Sequence, residues 1–212
     1  MTNWARAERE LLCDLFLEVG PDAPTLCGTW TTRDLAAHLV VREHRPDTMP
    51  GLMISAFAGY SDRVRRRMAS TEWNALVAKV RSGPPIWSPT RLRMVDELTN
   101  TIEFFVHHED VRRASEPWEP RVLDPDLDTV LWNAVSRMGK LLARKAPSGL
   151  VLTDTSRPDR SATAKSGTPG VSVSGPAGEL VLFVYGRQAH SRVGLVGDEA
   201  DARAMMNAKF GV

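Results

Sequence analysis

The sequence predicts an α+β fold in which a helical N-terminal domain precedes a small α/β domain. Up to residue 142, apolar residues recur at intervals of three and four, the spacing of one face of a helix. After Gly149, short alternating or β-branched segments are separated by Gly, Pro, Asp and Ser, as in strands joined by turns. This change of pattern predicts a domain boundary near residues 146–149, with a helical domain over 1–147 and an α/β domain over 148–212.

The helical part divides into stretches with recognisable starts and ends. Gly20-Pro21 ends the first stretch, and the capping-box pattern Thr31-Thr32-Arg33-Asp34 begins the second. Ser88-Pro89 and Asp124-Pro125 each combine an N-cap residue with a proline in the first turn. The predicted helices cover residues 4–19, 31–45, 51–69, 71–81, 89–114 and 124–146. We expect four or five of them to form a bundle.

The C-terminal part carries strand patterns and one ambiguous segment. Strands are predicted at 150–153, 161–164 and 171–174, and a closing helix at 198–208. Residues 177–185 are apolar almost throughout, so they fit either a buried helix or a buried strand.

Composition and charge exclude several classes of protein. The 212 residues are 42% hydrophobic and 25% charged, which is typical of a globular chain. The net charge of +1 argues against a dedicated surface for nucleic acid or an anionic membrane. No apolar run approaches the roughly 20 residues that span a bilayer, and the N-terminus lacks an apolar signal core. We therefore expect a cytoplasmic protein that acts on small molecules.

Cys13 and Cys27 are the only cysteines, and they are too far apart for a CxxC redox or zinc motif. We expect both to stay reduced and to pack in the core.

Three residues form a candidate metal site. His38 lies in an apolar helical stripe and needs a polar partner there. Glu103 and His107 are four residues apart, so they share one helix face. Two ligands from one helix and a third from a facing helix can hold a divalent metal and leave positions open for water or substrate. The alternative is a buried Glu–His hydrogen bond without a metal.

Other polar residues receive weaker assignments. Asp34 and Asp110 are placed to accept a hydrogen bond from a ligand imidazole, although Asp34 fits a helix cap equally well. His108 points about 100° away from His107 around the helix, so we expect it at a rim or an interface. For His44 and His190 we expect ordinary solvated surface positions. The arginine cluster at 63 and 65–67 could steer an anionic substrate, but its charges point in several directions around a helix, so we expect a solvated surface there too.

Three segments resemble a known family. WTTRDLAAHL at 30–39 and EFFVHHEDV at 103–111 are similar to the metal-binding domain of the mycothiol-dependent maleylpyruvate isomerase family, within the DinB-like helical bundles. SGPAGELVLFVYGR at 174–187 is similar to the C-terminal domain of that family. The resemblance covers nearly the whole chain and is strongest over residues 1–115.

The resemblance implies a ligand set and a chemistry. In the family, a histidine and a Glu-x-x-x-His pair hold a divalent metal, usually zinc, and the matching positions are His38, Glu103 and His107. Nickel, iron and manganese also accept such ligands. Mycothiol would be the thiol that the metal activates, and Arg187 matches best an arginine that takes part in catalysis.

Two functions follow from these observations. The protein is either a metal-dependent isomerase or S-transferase, acting with a small thiol on an electrophilic substrate, or a non-catalytic metal-binding and interaction module of the DinB-like superfamily. The sequence alone does not choose between them.

Overall fold

The computed structural model describes residues 2–45, 47, 55–84, 93–157 and 159–211. The fold is α+β, with a helical N-terminal part and a C-terminal part that contains a small mixed sheet. The predicted fold class is therefore confirmed. Contacts divide the chain into two compact units, Met1–Trp118 and Glu119–Val212.

The first unit contains five described helices: α1 (Trp4–Val19), α2 (Thr32–His44), α3 (Ser55–Ala69), α4 (Trp73–Ser82) and α5 (Arg93–Arg112). α1 packs against α4 and α5, and α2 packs against α3 and α4. Their facing sides share one apolar core, whose largest fully buried side chains include Leu12, Phe16, Leu35, Leu39, Leu76 and Phe104. The predicted starts at residues 51 and 89 lie outside the described residues.

Local signals explain where these helices begin and end. Asn3 caps α1 by accepting a hydrogen bond from the Arg6 amide at 2.8 Å, and Gly20 ends it with a positive φ of 81°. The predicted capping box is present at the start of α2, between Thr31 and Asp34. Glu72 caps α4, so the helix begins at Trp73, two residues after the predicted start at residue 71.

The second unit contains α6 (Pro125–Leu142), β1 (Gly149–Asp154), β2 (Ser161–Lys165), β3 (Gly170–Gly175), α7 (Ala177–Val184), β4 (Gly194–Val196) and α8 (Glu199–Met206). The strand order is β2-β1-β3-β4, with β1 and β3 parallel and both outer pairs antiparallel. β1 and β3 align Gly149 with Gly170. A Cβ at Gly149 would collide with the carbonyl oxygen of Gly167, so only glycine fits there.

The ambiguous segment is helical. All eight residues of α7 are buried, against α6, β1, β3 and the short 3₁₀ helix Gln188–His190. Because α7 has no polar face, the sequence carries no helical periodicity over this stretch.

The boundary predicted at 147 and 148 falls inside the second unit, between α6 and β1. α6 packs on α7 and β2, so its apolar stripe is buried by C-terminal elements. The independence of domains 1–147 and 148–212 stays a prediction. None of the described helices is both long and apolar enough to cross a membrane.

Candidate metal centre

Two helices of the first unit bring the predicted ligands together. The capping box fixes the start of α2, and Leu35 and Leu39 bury its apolar side in the core. His38 therefore points along a different side of α2. Glu103 and His107 lie one turn apart on α5, and both side chains meet His38.

The ligand atoms of His38, Glu103 and His107 all lie within 4.8 Å of one another. Glu103 Oε1 is 3.6 Å from His38 Nε2 and 3.3 Å from His107 Nε2. The three side chains are 17%, 24% and 11% exposed, in that order of residue number. The cluster is thus shielded by protein yet reachable from solvent.

Asp110 holds the other nitrogen of His107. Its carboxylate Oδ2 lies 2.9 Å from His107 Nδ1, and the residue is fully buried. When His107 is neutral, an Nδ1–H donated to Asp110 leaves the Nε2 lone pair directed at the cluster. The contact between Asp110 and His107 is present, and the role of Asp110 behind a metal ligand stays a prediction.

Cys27 shares the same carboxylate. Its thiol donates to Asp110 Oδ2 at 3.1 Å, and Sγ lies 3.8 Å from His107 Nδ1. The amide of Leu26 also donates to the Asp110 carbonyl oxygen at 3.0 Å. Cys27 packs against the core as expected, but it is only half-buried and its thiol also faces the centre.

Cys27, His107 and Asp110 form a second group whose ligand atoms lie close together. This group uses the Nδ1 side of His107, where Asp110 already accepts a hydrogen bond. In the first group, Nε2 of His38 and Nε2 of His107 both face the Glu103 carboxylate, which is partly exposed to solvent. We therefore take the first group as the candidate centre and the second as its support.

Burial and ion pairing set the charges of the cluster. Burial would raise the pKa of the Glu103 carboxyl, but hydrogen bonds with His107 and His38 and the nearby Arg42 hold that pKa well below its usual value. Burial also opposes charge on His107, yet hydrogen bonds with Asp110, Cys27 and Glu103 raise its pKa well above the ordinary range. At His38 burial prevails and lowers the pKa.

Arg42 completes the surroundings of Glu103. Its Nε lies 3.3 Å from Glu103 Oε1, and its Nη1 donates to Asn100 Oδ1 at 2.6 Å. Arg42 follows His38 by one turn on α2, so the helix places both beside the same carboxylate. The i,i+4 spacing of His38 and Arg42 is the sequence signal from which the place of Arg42 beside Glu103 follows.

Asp34 takes the helix-cap alternative. It accepts from the amide and hydroxyl of Thr31 at 3.2 and 3.3 Å, and it forms an ion pair with Arg65. Arg65 stacks 4.9 Å from the ring centroid of Trp30, and Trp30 packs 5.2 Å from the His38 ring. Arg65 and Trp30 therefore lie between Asp34 and His38, so Asp34 does not touch the His38 ring directly.

The remaining histidines lie elsewhere. His108 is buried on the side of α5 that faces α1, with Nδ1 3.3 Å from Glu8 Oε2, so the predicted rim position is wrong. His44 and His190 are half-buried, and His44 Nδ1 lies 3.0 Å from the Val40 carbonyl oxygen. Both are less exposed than expected.

Arg187 belongs to the second unit. It precedes the short helix Gln188–His190, and its Nη1 donates to the Tyr185 carbonyl oxygen at 2.5 Å. Its role in catalysis stays a prediction.

Comparison with known proteins supports the fold. No protein-family model matches the chain, and no curated protein is similar to it in sequence. Among solved structures, the chain is similar to a mycothiol-dependent maleylpyruvate isomerase, with a TM-score of 0.59 and 16% identity, covering 91% of this chain and 90% of that one. The resemblance noted in the sequence is thereby confirmed at the level of the fold.

Proposed function

We propose that His38, Glu103 and His107 bind one divalent metal ion. The observation that carries the proposal is the convergence of two Nε2 atoms on one carboxylate oxygen, at 3.6 and 3.3 Å. Ligands about 2.1 Å from a tetrahedral ion are separated by roughly 3.4 Å. The side chains present therefore fit a metal with little rearrangement.

Zinc is the ion we favour for this site. Two imidazoles and one carboxylate are a common catalytic zinc set, and they leave a coordination position open for water or a substrate. Nickel, iron and manganese are the alternatives, because the same donors bind them and availability in the cell decides among them.

We further propose that the protein uses this site to activate a small thiol. A bound divalent ion lowers the pKa of a coordinated thiol, so that the thiolate is available at neutral pH. The isomerase with the similar fold is mycothiol-dependent by its description, which makes mycothiol our first candidate thiol. The thiolate would add to an electrophile, giving cis–trans isomerisation if it leaves again and S-transfer if it remains.

The residues of this chain would orient the site. Asp110 fixes the tautomer of His107, and Arg42 provides a positive charge beside Glu103. We assign Arg187 a catalytic role, as the resemblance to the isomerase family implies. An Arg187→Ala variant should then lose turnover while its metal content stays unchanged.

The first experiment is elemental analysis of untagged protein, wild type beside Glu103→Ala, His107→Ala and His108→Ala. We expect one ion per chain in the wild type and in His108→Ala, and its loss in the other two variants. His108→Ala is the matched control, since it removes a neighbouring imidazole from the same helix. Stoichiometric metal in His107→Ala would refute the ligand set.

The second experiment separates an enzyme from a non-catalytic metal-binding module. Cobalt replaces zinc and reports its ligands by visible absorption, so mycothiol added to the cobalt protein should produce a sulfur-to-cobalt charge-transfer band. A spectrum that mycothiol leaves unchanged, in a protein that binds cobalt stoichiometrically, favours the module.

A further inference from the structure

The four arginines of the cluster on α3, at 63 and 65–67, differ in whether they form ion pairs. Arg65 forms ion pairs with Asp34 and Asp62, and Arg66 pairs with Asp62. Arg63 and Arg67 have no acidic partner among the described residues, and both are exposed. The expected solvated surface position is confirmed for Arg63, Arg66 and Arg67, which are exposed, and is wrong for Arg65, whose side chain is only 12% exposed.

Arg63 and Arg67 line one cleft of about 410 Å³. They are four residues apart, so they share a face of α3, where like charges repel and destabilise a helix. Lys79 of α4 and Arg45, just after α2, face the same cleft. The other described lining residues are Tyr60, Val64, Met68 and Thr71. We call this the cationic cleft.

Asp47, an acidic residue beside the cationic cleft, already accepts hydrogen bonds from two residues that line it. Asp47 accepts from Arg45 Nε at 2.9 Å, from Arg45 Nη2 at 2.8 Å and from the Tyr60 hydroxyl at 2.5 Å. These contacts hold Arg45 and Tyr60 in place and leave Asp47 little capacity to neutralise other cations. Three cationic side chains of the cleft, Arg63, Arg67 and Lys79, therefore remain uncompensated by the described residues.

We propose that the cationic cleft binds a small molecule carrying two or more anionic groups, carboxylates or phosphates. A guanidinium presents a planar fork that matches both groups, and several such forks can hold one ligand at two points. The volume lies within the roughly 300–1,000 Å³ of small-molecule sites. Val64 and Met68 offer an apolar surface for the body of the ligand, and Tyr60 and Thr71 offer hydroxyl groups.

A small molecule fits better than a nucleic acid. The cationic residues surround a concavity and do not form an extended stripe, and the net charge of the chain is only +1. The site uses none of the candidate metal ligands, so it can be present whether or not the metal proposal holds.

The test is calorimetric titration with succinate and with inorganic pyrophosphate, at constant ionic strength. Acetate serves as the singly anionic control. We expect saturable binding of at least one probe and none of acetate. A preference for succinate identifies a carboxylate ligand, and a preference for pyrophosphate identifies a phosphate ligand. No saturation by either probe at roughly 10 mM would overturn the proposal.

Matched variants separate the cleft from general electrostatics. Arg63→Gln and Arg67→Gln should each weaken binding by about tenfold or more. Arg66→Gln removes the same charge from the same helix outside the cleft, and it should change binding less than about twofold. Equal losses in all three variants would contradict the proposal. So would loss of binding in Glu103→Ala, because the probe would then bind at the metal centre.

Discussion

At the scale of single residues, one buried carboxylate organises the candidate centre. Asp110 accepts from His107 and from Cys27, and its backbone carbonyl accepts from Leu26. The loop before α2 is therefore tied to α5 directly behind the His107 imidazole. The sequence predicts the Asp110 contact, because Asp110 and His107 share a helix face. The contact between Cys27 and Asp110 spans 83 residues of chain, and no local sequence pattern indicates it.

The two aspartates flanking the ligands should differ in their effect on metal affinity. Asp110→Asn removes the charge that orients His107, so we expect about a 10- to 100-fold loss of zinc affinity. Asp34→Asn should leave the affinity nearly unchanged, because Asp34 pairs with Thr31 and Arg65. Competition with a fluorescent zinc chelator measures both variants. Equal losses in the two would contradict the assignment.

Cys13 should be chemically silent in the folded protein. It is fully buried, and burial raises the pKa of its thiol from 9.0 to about 12. At pH 9 the thiol is therefore half ionised in the unfolded chain and protonated in the folded one. We expect iodoacetamide at pH 9 to label Cys13 only after unfolding, as read by peptide mass spectrometry. Labelling at equal rates with and without denaturant would show that the Cys13 thiol is accessible in the folded protein.

At the scale of elements, a buried ion pair joins α1 to α2. Arg9 Nη2 donates to Glu43 Oε1 at 2.5 Å, and the two side chains are 7% and 1% exposed. The Arg9 guanidinium also stacks 4.5 Å from the ring centroid of Phe104 on α5. Arg9 therefore connects three helices, two of which carry the candidate metal ligands.

Breaking this pair should cost more than replacing it. Arg9→Met removes the cation that α1 places beside Glu43 and leaves that carboxylate buried. We therefore expect a loss of about 3–5 kcal/mol in the free energy of unfolding. The double variant Arg9→Met, Glu43→Met should lose less than the sum of the two single variants. Urea denaturation of the four proteins gives the coupling, and strict additivity would contradict a direct pair.

Elements with a polar and an apolar face are the ones that the sequence predicts well. α1 begins at the predicted residue, α2 and α6 begin at the predicted caps, and β1, β2 and β3 fall on the predicted strands. β4 has only three residues, mostly exposed, so its sequence is too short to show the alternation of apolar and polar residues that predicts a strand. α7 is buried on all sides, so its pattern fits two structures equally.

At the scale of the whole molecule, ligand binding should appear as stability. An ion that binds the folded chain at 100 times its dissociation constant adds about 2.7 kcal/mol to the free energy of unfolding. We expect the melting temperature of the wild type to rise with zinc concentration and to fall after chelation. Glu103→Ala should show neither change. A zinc-dependent rise of equal size in Glu103→Ala would place the stabilising ion elsewhere.

The overall charge hides an uneven distribution. The net charge of +1 indicates a protein with no electrostatic specialisation, yet three cationic residues gather in the cationic cleft without acidic partners among the described residues. Sequence spacing identifies Arg63, Arg65, Arg66 and Arg67 as a cluster, but it cannot show which of them meet acids from other segments. Asp34 lies 31 residues from Arg65, so only folding reveals that pair.

The burial of α7 on all sides has a consequence for folding during synthesis. Translation proceeds from the N-terminus, so α6, β1, β2 and β3 all leave the ribosome before residues 177–184 do. Until then the apolar sides of α6, β1 and β3 that α7 covers stay open to water, and the nascent second unit resembles a chaperone client. A premature stop before residue 177 should therefore yield an aggregating product and not a smaller functional one.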